Sequence, residues 1–206
     1  MQTVPANDAG ALVATEILLA GGVVVLPTDT VYGLAARPDD SAAVQAVFRI
    51  KERPTSLHLP VLAASAAQVR DLGVAFTAPA DALARSWWPG PLTLAFGFAV
   101  GGSRPSWLHG RDEVAVRVPD HSFLRALIAR TGVLVVTSAN PHGAPTPRTA
   151  EEVVTGLGAL VDLVVDGGSL TDVPSTLVNV RSPGAVVERE GAISREAVAE
   201  ALARAR

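Results

Sequence analysis

The sequence predicts an α/β fold built on a mixed sheet. Short apolar runs at residues 23–26, 59–62, 92–96, 114–118 and 133–137 have strand length, and most lack the polar alternation of a half-solvated strand. Between them lie segments whose apolar residues recur at helical spacing, and such interleaving marks a layered α/β domain. The closing runs, 163–165, 176–180 and 185–188, have no helix between them, so the sheet is mixed rather than wholly parallel.

The elements follow in order. Asp8 is placed to cap a first helix running to about residue 20, with Leu12, Val13, Ile17 and Leu18 among its apolar positions and Gly21-Gly22 as its stop. The strand 23–26 comes next. Asp40 or Ser41 caps a helix whose stripe is Val44, Val47 and Phe48. After the strand 59–62, helical stretches fall near 65–72 and 78–87. Trp87-Trp88-Pro89-Gly90-Pro91 is a stiff turn into the strand 92–96, and Gly101-Gly102-Ser103-Arg104-Pro105 is a loop. A helix at 123–129 separates the strands 114–118 and 133–137. Thr149 caps a helix at 151–157, and Ser194 caps a last amphipathic helix. No repeat, linker or low-complexity stretch divides the chain, so residues 1–206 read as a single domain.

Composition narrows the function. The chain has no cysteine, which removes disulfides, thiolate nucleophiles and Cys-built zinc sites and fits a reducing cytosol. A net charge of −3 gives no bulk attraction to nucleic acid or anionic membranes. The first eight residues carry no basic side chain, so they do not open a signal peptide. The longest strongly apolar stretch, 17–27, is broken by two glycines and too short to span a bilayer. A cytoplasmic, membrane-free protein is expected. The four histidines are scattered and show no metal spacing, and no Walker or dinucleotide fingerprint occurs.

One lysine stands among sixteen arginines, and it lies in Arg49-Ile50-Lys51-Glu52-Arg53-Pro54. Three cations in five residues make a local anion site, although cations also suit a solvated helix end. Hydroxyl and amide groups gather at strand ends: Thr28 and Thr30 after 23–26, and Thr137, Ser138 and Asn140 after 133–136. Ser175 and Thr176 open the strand 176–180. Ligands bind beyond strand ends in open α/β sheets, while each cluster singly also has the chemistry of a turn or cap. Arg117, inside an apolar strand, must face solvent or a partner, and its planar fork suits a carboxylate. Arg189 ends another strand and can reach a phosphate or solvent.

Taken in order, the stretches PTDTVYGLA (27–35), IKERP (50–54), WPGPLTLAF (88–96), VAVRVPDH (114–121), TSANPHGAPTPRT (137–149) and PSTLVNV (174–180) resemble the YrdC-type family of threonylcarbamoyl-AMP synthases. The resemblance spans about residues 20–190. It implies an open twisted sheet with flanking helices around a basic cavity, in the short form without a further C-terminal domain. It implies an enzyme, a nucleotidyltransferase, that joins L-threonine, bicarbonate and ATP into threonylcarbamoyl-AMP, with Mg²⁺ carried on the nucleotide. The product feeds proteins that modify the tRNA adenosine next to the anticodon. By resemblance, Lys51 and Arg53 are the catalytic, ATP-phosphate cations. Thr30, Arg117, Ser138 and Ser175 hold L-threonine, and Asn140, Arg148 and Arg189 hold ATP. The chain departs from the family pattern at Leu57, His58, Leu62, Glu113 and Asn179 and in the Pro141-His142-Gly143 loop. Two other readings share the fold: an RNA-binding module with a local tRNA contact, and a carbamoyl-transfer domain of the kind found in hydrogenase-maturation proteins.

Overall fold

The computed structural model describes residues 1–55, 57–171, 173–181 and 184–205. Ten strands join in one mixed sheet: β1 (Gln2–Pro5), β2 (Val24–Leu26), β3 (Gly33–Ala36), β4 (Val61–Leu62), β5 (Leu92–Phe96), β6 (Val114–Arg117), β7 (Leu134–Ser138), β8 (Leu163–Asp166), β9 (Thr176–Asn179) and β10 (Val186–Arg189). Their spatial order is β1-β8-β2-β3-β7-β4-β6-β5-β9-β10. β8 pairs in parallel with β1 and β2, β4 with β6, and β5 with β9, while the other neighbours are antiparallel. Among the described residues seven α-helices flank it: α1 (Asp8–Leu19), α2 (Ser41–Lys51), α3 (Ala66–Arg70), α4 (Ala78–Trp87), α5 (Ser122–Thr131), α6 (Ala150–Leu157) and α7 (Arg195–Arg204). The predicted mixed α/β class is observed.

Caps fix where the helices begin. Asp40 accepts from the amides of Ala42 and Ala43, Thr149 from Glu152, and Ser194 from Ala197. The first helix is capped one residue earlier than its sequence indicates. Asn7 Oδ1 accepts from the Gly10 amide at 3.0 Å, and Asp8 serves the first turn instead.

Two strands are absent from the sequence reading. β1 is a short edge strand, polar on its exposed side. β3 has the sequence Gly-Leu-Ala-Ala, which carries little strand propensity. It forms because β2 and β7 flank it on both sides. Its glycine is required by space: a Cβ on Gly33 would lie 2.5 Å from Val136 Cγ1. The β2–β3 hairpin turns the hydroxyl-bearing loop 27–32 back over the sheet.

The sheet divides the interior into two cores. Leu18, Leu124, Leu127, Ile128 and Leu134 fill one face beneath α1 and α5. Leu83, Leu92, Leu94, Phe96 and Val116 belong to the other, against α4 and α7. Aliphatic side chains make up most of both, as the low aromatic content requires. Among the described residues no helix is long and apolar enough to cross a membrane.

Candidate functional site

A cavity of about 860 Å³ opens over the middle of the sheet. Thr93 and Ala95 of β5, Ala115 and Arg117 of β6, and Val136 to Ser138 of β7 contribute to its floor. Its walls come from the loops that hold Thr28 and Thr30, Arg53 and His58, Asn140 and His142, and Ser175. Six cations line it against three carboxylates, in a chain whose net charge is −3. The volume lies within the range of small-molecule sites, about 300–1,000 Å³.

Lys51 is the hub of one wall. It ends α2 but is not a solvated helix end, since only 4 % of it is exposed. The next residue, Glu52, turns out of the helix in the left-handed conformation at φ 52°. Lys51 Nζ lies 2.8 Å from Ser138 O, 3.0 Å from Ser138 Oγ, 2.8 Å from Asn140 O and 2.9 Å from Asn140 Oδ1. All four acceptors are formally neutral. Burial, helped by the neighbouring Arg53, pushes the ammonium down from 10.5 to about 8. Asn140 donates both amide hydrogens, to Pro141 O and Ala144 O, and so shapes the loop, while its Oδ1 keeps a second lone pair beside the bond from Lys51. Arg53 donates to the carbonyls of Leu57 and His58 and stays half-buried at the cavity.

Arg117 organises the opposite wall. It does not lie on a solvated sheet face, because only 5 % of it is exposed. Its Nε donates to Gly90 O at 3.0 Å, Nη1 to Thr30 Oγ1 at 2.8 Å and Nη2 to Asp29 Oδ1 at 2.5 Å. Three of its five N–H groups are used, leaving one on each terminal nitrogen. Burial lowers the guanidinium pKa, and Asp29 works against that shift. Thr28 Oγ1 sends its proton to Val31 O at 2.7 Å. It must therefore accept from Thr30 across their 3.0 Å contact. Thr30 already receives one bond from Arg117, so what remains for a ligand is an acceptor lone pair.

Ser175 and Arg189 close the third side. Ser175 Oγ lies 2.7 Å from Thr93 Oγ1, and Arg189 Nη2 donates to Ser175 O at 2.9 Å. Burial lowers the pKa of Arg189 most, followed by repulsion from Arg117 and Arg53. Those repulsions put Arg189 within electrostatic reach of both Arg117 and Arg53.

The structure thus brings Thr30, Lys51, Arg53, Arg117, Ser138, Asn140, Ser175 and Arg189 to one cavity. Arg148 is not brought there. Its side chain is exposed, its Nε reaches Leu170 O at 3.4 Å, and its backbone amide is held by Glu152. Thr176 also differs from expectation. Its hydroxyl is wholly buried, donates to Ile193 O and accepts from the amides of Gly191 and Ile193, so it is a structural tie. Asp29, Thr93, Arg111 and Arg181 are site residues that sequence reasoning missed. Thr93 carried a signal, a hydroxyl inside an apolar strand, whereas Arg111 sits in a polar run that reads as a turn. Among the described residues no three His, Asp or Glu side chains gather as metal ligands.

The sequence model of the Sua5/YciO/YrdC family, described as telomere recombination, matches residues 16–191. A threonylcarbamoyl-AMP synthase of Bacillus subtilis is 34 % identical over 194 residues, which is 93 % of this chain and 56 % of that protein. A putative threonylcarbamoyl-AMP synthase of Mycobacterium tuberculosis is 35 % identical over 198 residues, 94 % of this chain and 89 % of its own length. The structure of Pyrococcus abyssi Sua5 complexed with L-threonine superposes with a TM-score of 0.87 at 30 % identity, covering 98 % of this chain and 60 % of that one. This chain therefore spans little more than half of some relatives and most of others. It belongs to the Sua5/YciO/YrdC family.

Proposed function

We propose that this chain is an L-threonylcarbamoyladenylate synthase, a nucleotidyltransferase acting on L-threonine, bicarbonate and MgATP. The observation that carries the reading is the convergence of Arg117–Thr30 with the Lys51–Ser138–Asn140 hub in one cationic cavity. Relatives named for this activity support it. Magnesium is assigned to the nucleotide and enters with it.

The chemistry needs no protein nucleophile. The amine of threonine and bicarbonate give a carbamate with loss of water. A carbamate oxygen attacks the α-phosphorus of ATP, the bond from that phosphorus to the bridging oxygen breaks, and its electron pair leaves with pyrophosphate. Arg117 supplies two free N–H groups to the threonine carboxylate, a planar match. Thr30 offers a lone pair to an N–H or O–H of the substrate. Ser138 and Ser175 stand beside it, and Lys51, Arg53 and Arg189 offset phosphate charge. The protein's contribution is thus positioning and electrostatics. We place the activity in the cytoplasm, within a single catalytic domain, with the labile product passed to proteins that transfer the group to tRNA.

Mass spectrometry of the product tests this. The expected species joins threonine to AMP through one carbonyl, and ¹³C-bicarbonate must label it. A reaction that yields only ADP or unlabelled AMP would contradict the assignment.

A further inference from the structure

Five of the six cations in the cavity wall have acceptors within the protein: Lys51, Arg53, Arg117, Arg181 and Arg189. Arg111 has none among the described residues. Its Nη1 is closed off from solvent and unpartnered, and no ion pair includes it. The nearby carboxylates are committed elsewhere: Glu113 pairs with Arg181 at 3.0 Å, and Glu188 accepts from Asn179 at 2.7 Å. Yet the residue is firmly anchored. Its amide donates to Leu108 O at 3.2 Å, and its carbonyl accepts from Arg104 at 3.1 Å. Arg111 is part-buried, and an anchored guanidinium nitrogen closed off from water without a partner is destabilising, so its Nη1 side is suited to an anion that the protein does not supply. Burial alone lowers its pKa. The other unpartnered guanidinium nitrogen, on Arg125, lies outside the cavity.

The sheet register says which anion. Leu134, Leu62 and Arg117 share one row across β7, β4 and β6. Moving along β7 from that row leads to Ser138, where Lys51 docks. Moving the same way along β6 leads back through Val114 to Arg111. Arg111 and Lys51 therefore lie on the same side of the Arg117 row. If Arg117 holds threonine, bicarbonate must meet the amine near Arg117. The part of ATP farthest from that amine points toward Arg111. Adenine can stack on a guanidinium, but only a terminal phosphate also engages its fork of charged donors and neutralises its charge.

We propose that Arg111 binds the β- and γ-phosphates of ATP, the group that leaves as pyrophosphate, as a further cation beside Lys51 and Arg53. The inference rests on the synthase reading. It accounts for an otherwise uncompensated charge and gives the leaving group a partner of its own.

Calorimetric titration with inorganic pyrophosphate and with AMP tests it without relying on turnover. Arg111→Gln should weaken pyrophosphate about ten- to a hundredfold, the size of one charge-assisted contact, and leave AMP unchanged. Arg111→Lys should recover part of the loss, and Arg125→Gln should bind pyrophosphate like the wild type. In the absence of ligand, Arg111→Gln should melt no lower than the wild type, because it removes an unpaired charge, while the rise in Tm caused by pyrophosphate shrinks. Pyrophosphate affinity unchanged by Arg111→Gln, or a wild type that binds no pyrophosphate, overturns the inference. A wild type that binds pyrophosphate through Arg111 yet forms no threonine adduct leaves the anion site standing and removes the synthase reading.

Discussion

At Lys51, burial and charge pull against each other. The ammonium is almost wholly enclosed, and its four acceptors carry no charge to offset it. An incoming phosphate supplies that charge, so binding should raise the depressed pKa. Anion affinity is then full below about pH 8 and falls, by up to about tenfold per pH unit, as the free protein loses the proton above it. ATP titrations from pH 6.5 to 9.5 check this, and a flat profile would remove Lys51 from phosphate binding. Stability runs the other way. The folded protein releases this proton before the unfolded chain does, so the Lys51 contribution rises between about pH 8 and 10.5. Lys51→Ala is not a mild surface change. It strands Ser138 O and Asn140 Oδ1, at about 1–3 kcal/mol for each polar group left unpaired, and should lower Tm as well as ATP affinity. Arg117→Lys keeps the charge but not the fork held by Gly90, Thr30 and Asp29. It should raise the KM for threonine while changing the KM for ATP little, and a normal threonine KM would clear Arg117 of that role.

Among the elements, the entry to β9 positions Ser175 at the cavity. Thr176 ties it to the 191–193 loop through three hydrogen bonds, and Gly191 packs against its backbone. A Cβ on Gly191 would sit 2.2 Å from Pro174 O and 2.7 Å from Ser175 O, and both obstacles are backbone. Gly191→Ala should therefore displace Ser175, destabilise the fold by about 1–3 kcal/mol, and weaken threonine binding more than ATP binding. Equal effects on both substrates would show that the strain is not local. Elements of this kind differ in how legible they were. The caps at Asp40, Thr149 and Ser194 are local chemistry and could be read directly. The hydroxyl clusters at 28–30 and 137–140 were visible because strand ends expose them. β3 was not legible, since its pairing comes from neighbours far away in sequence. Lys51 and Arg117 could be named as cations, but their burial depends on loops and strands that no local pattern describes, and Arg111 gave no signal at all. Arg148 was named by resemblance alone, and it is exposed and absent from the cavity lining.

Across the whole molecule, an acidic chain sets six of its seventeen cations around one concavity. Such a distribution suits a small polyanion held inside better than a nucleic acid held across a surface. Retention of tRNA without ATP should be weak at physiological salt, and strong salt-dependent retention would favour the RNA-module reading. Threonine should be used best, serine less by a methyl group's worth of about 1–3 kcal/mol, and valine far behind because a hydroxyl partner would go unmet. Valine matching serine would remove the hydroxyl-reading role of Thr30, Ser138 and Ser175. The most direct test of the central claim is pyrophosphate release with each substrate omitted in turn. Release should require ATP, L-threonine, bicarbonate and Mg²⁺ together, and equal release without threonine would contradict the account.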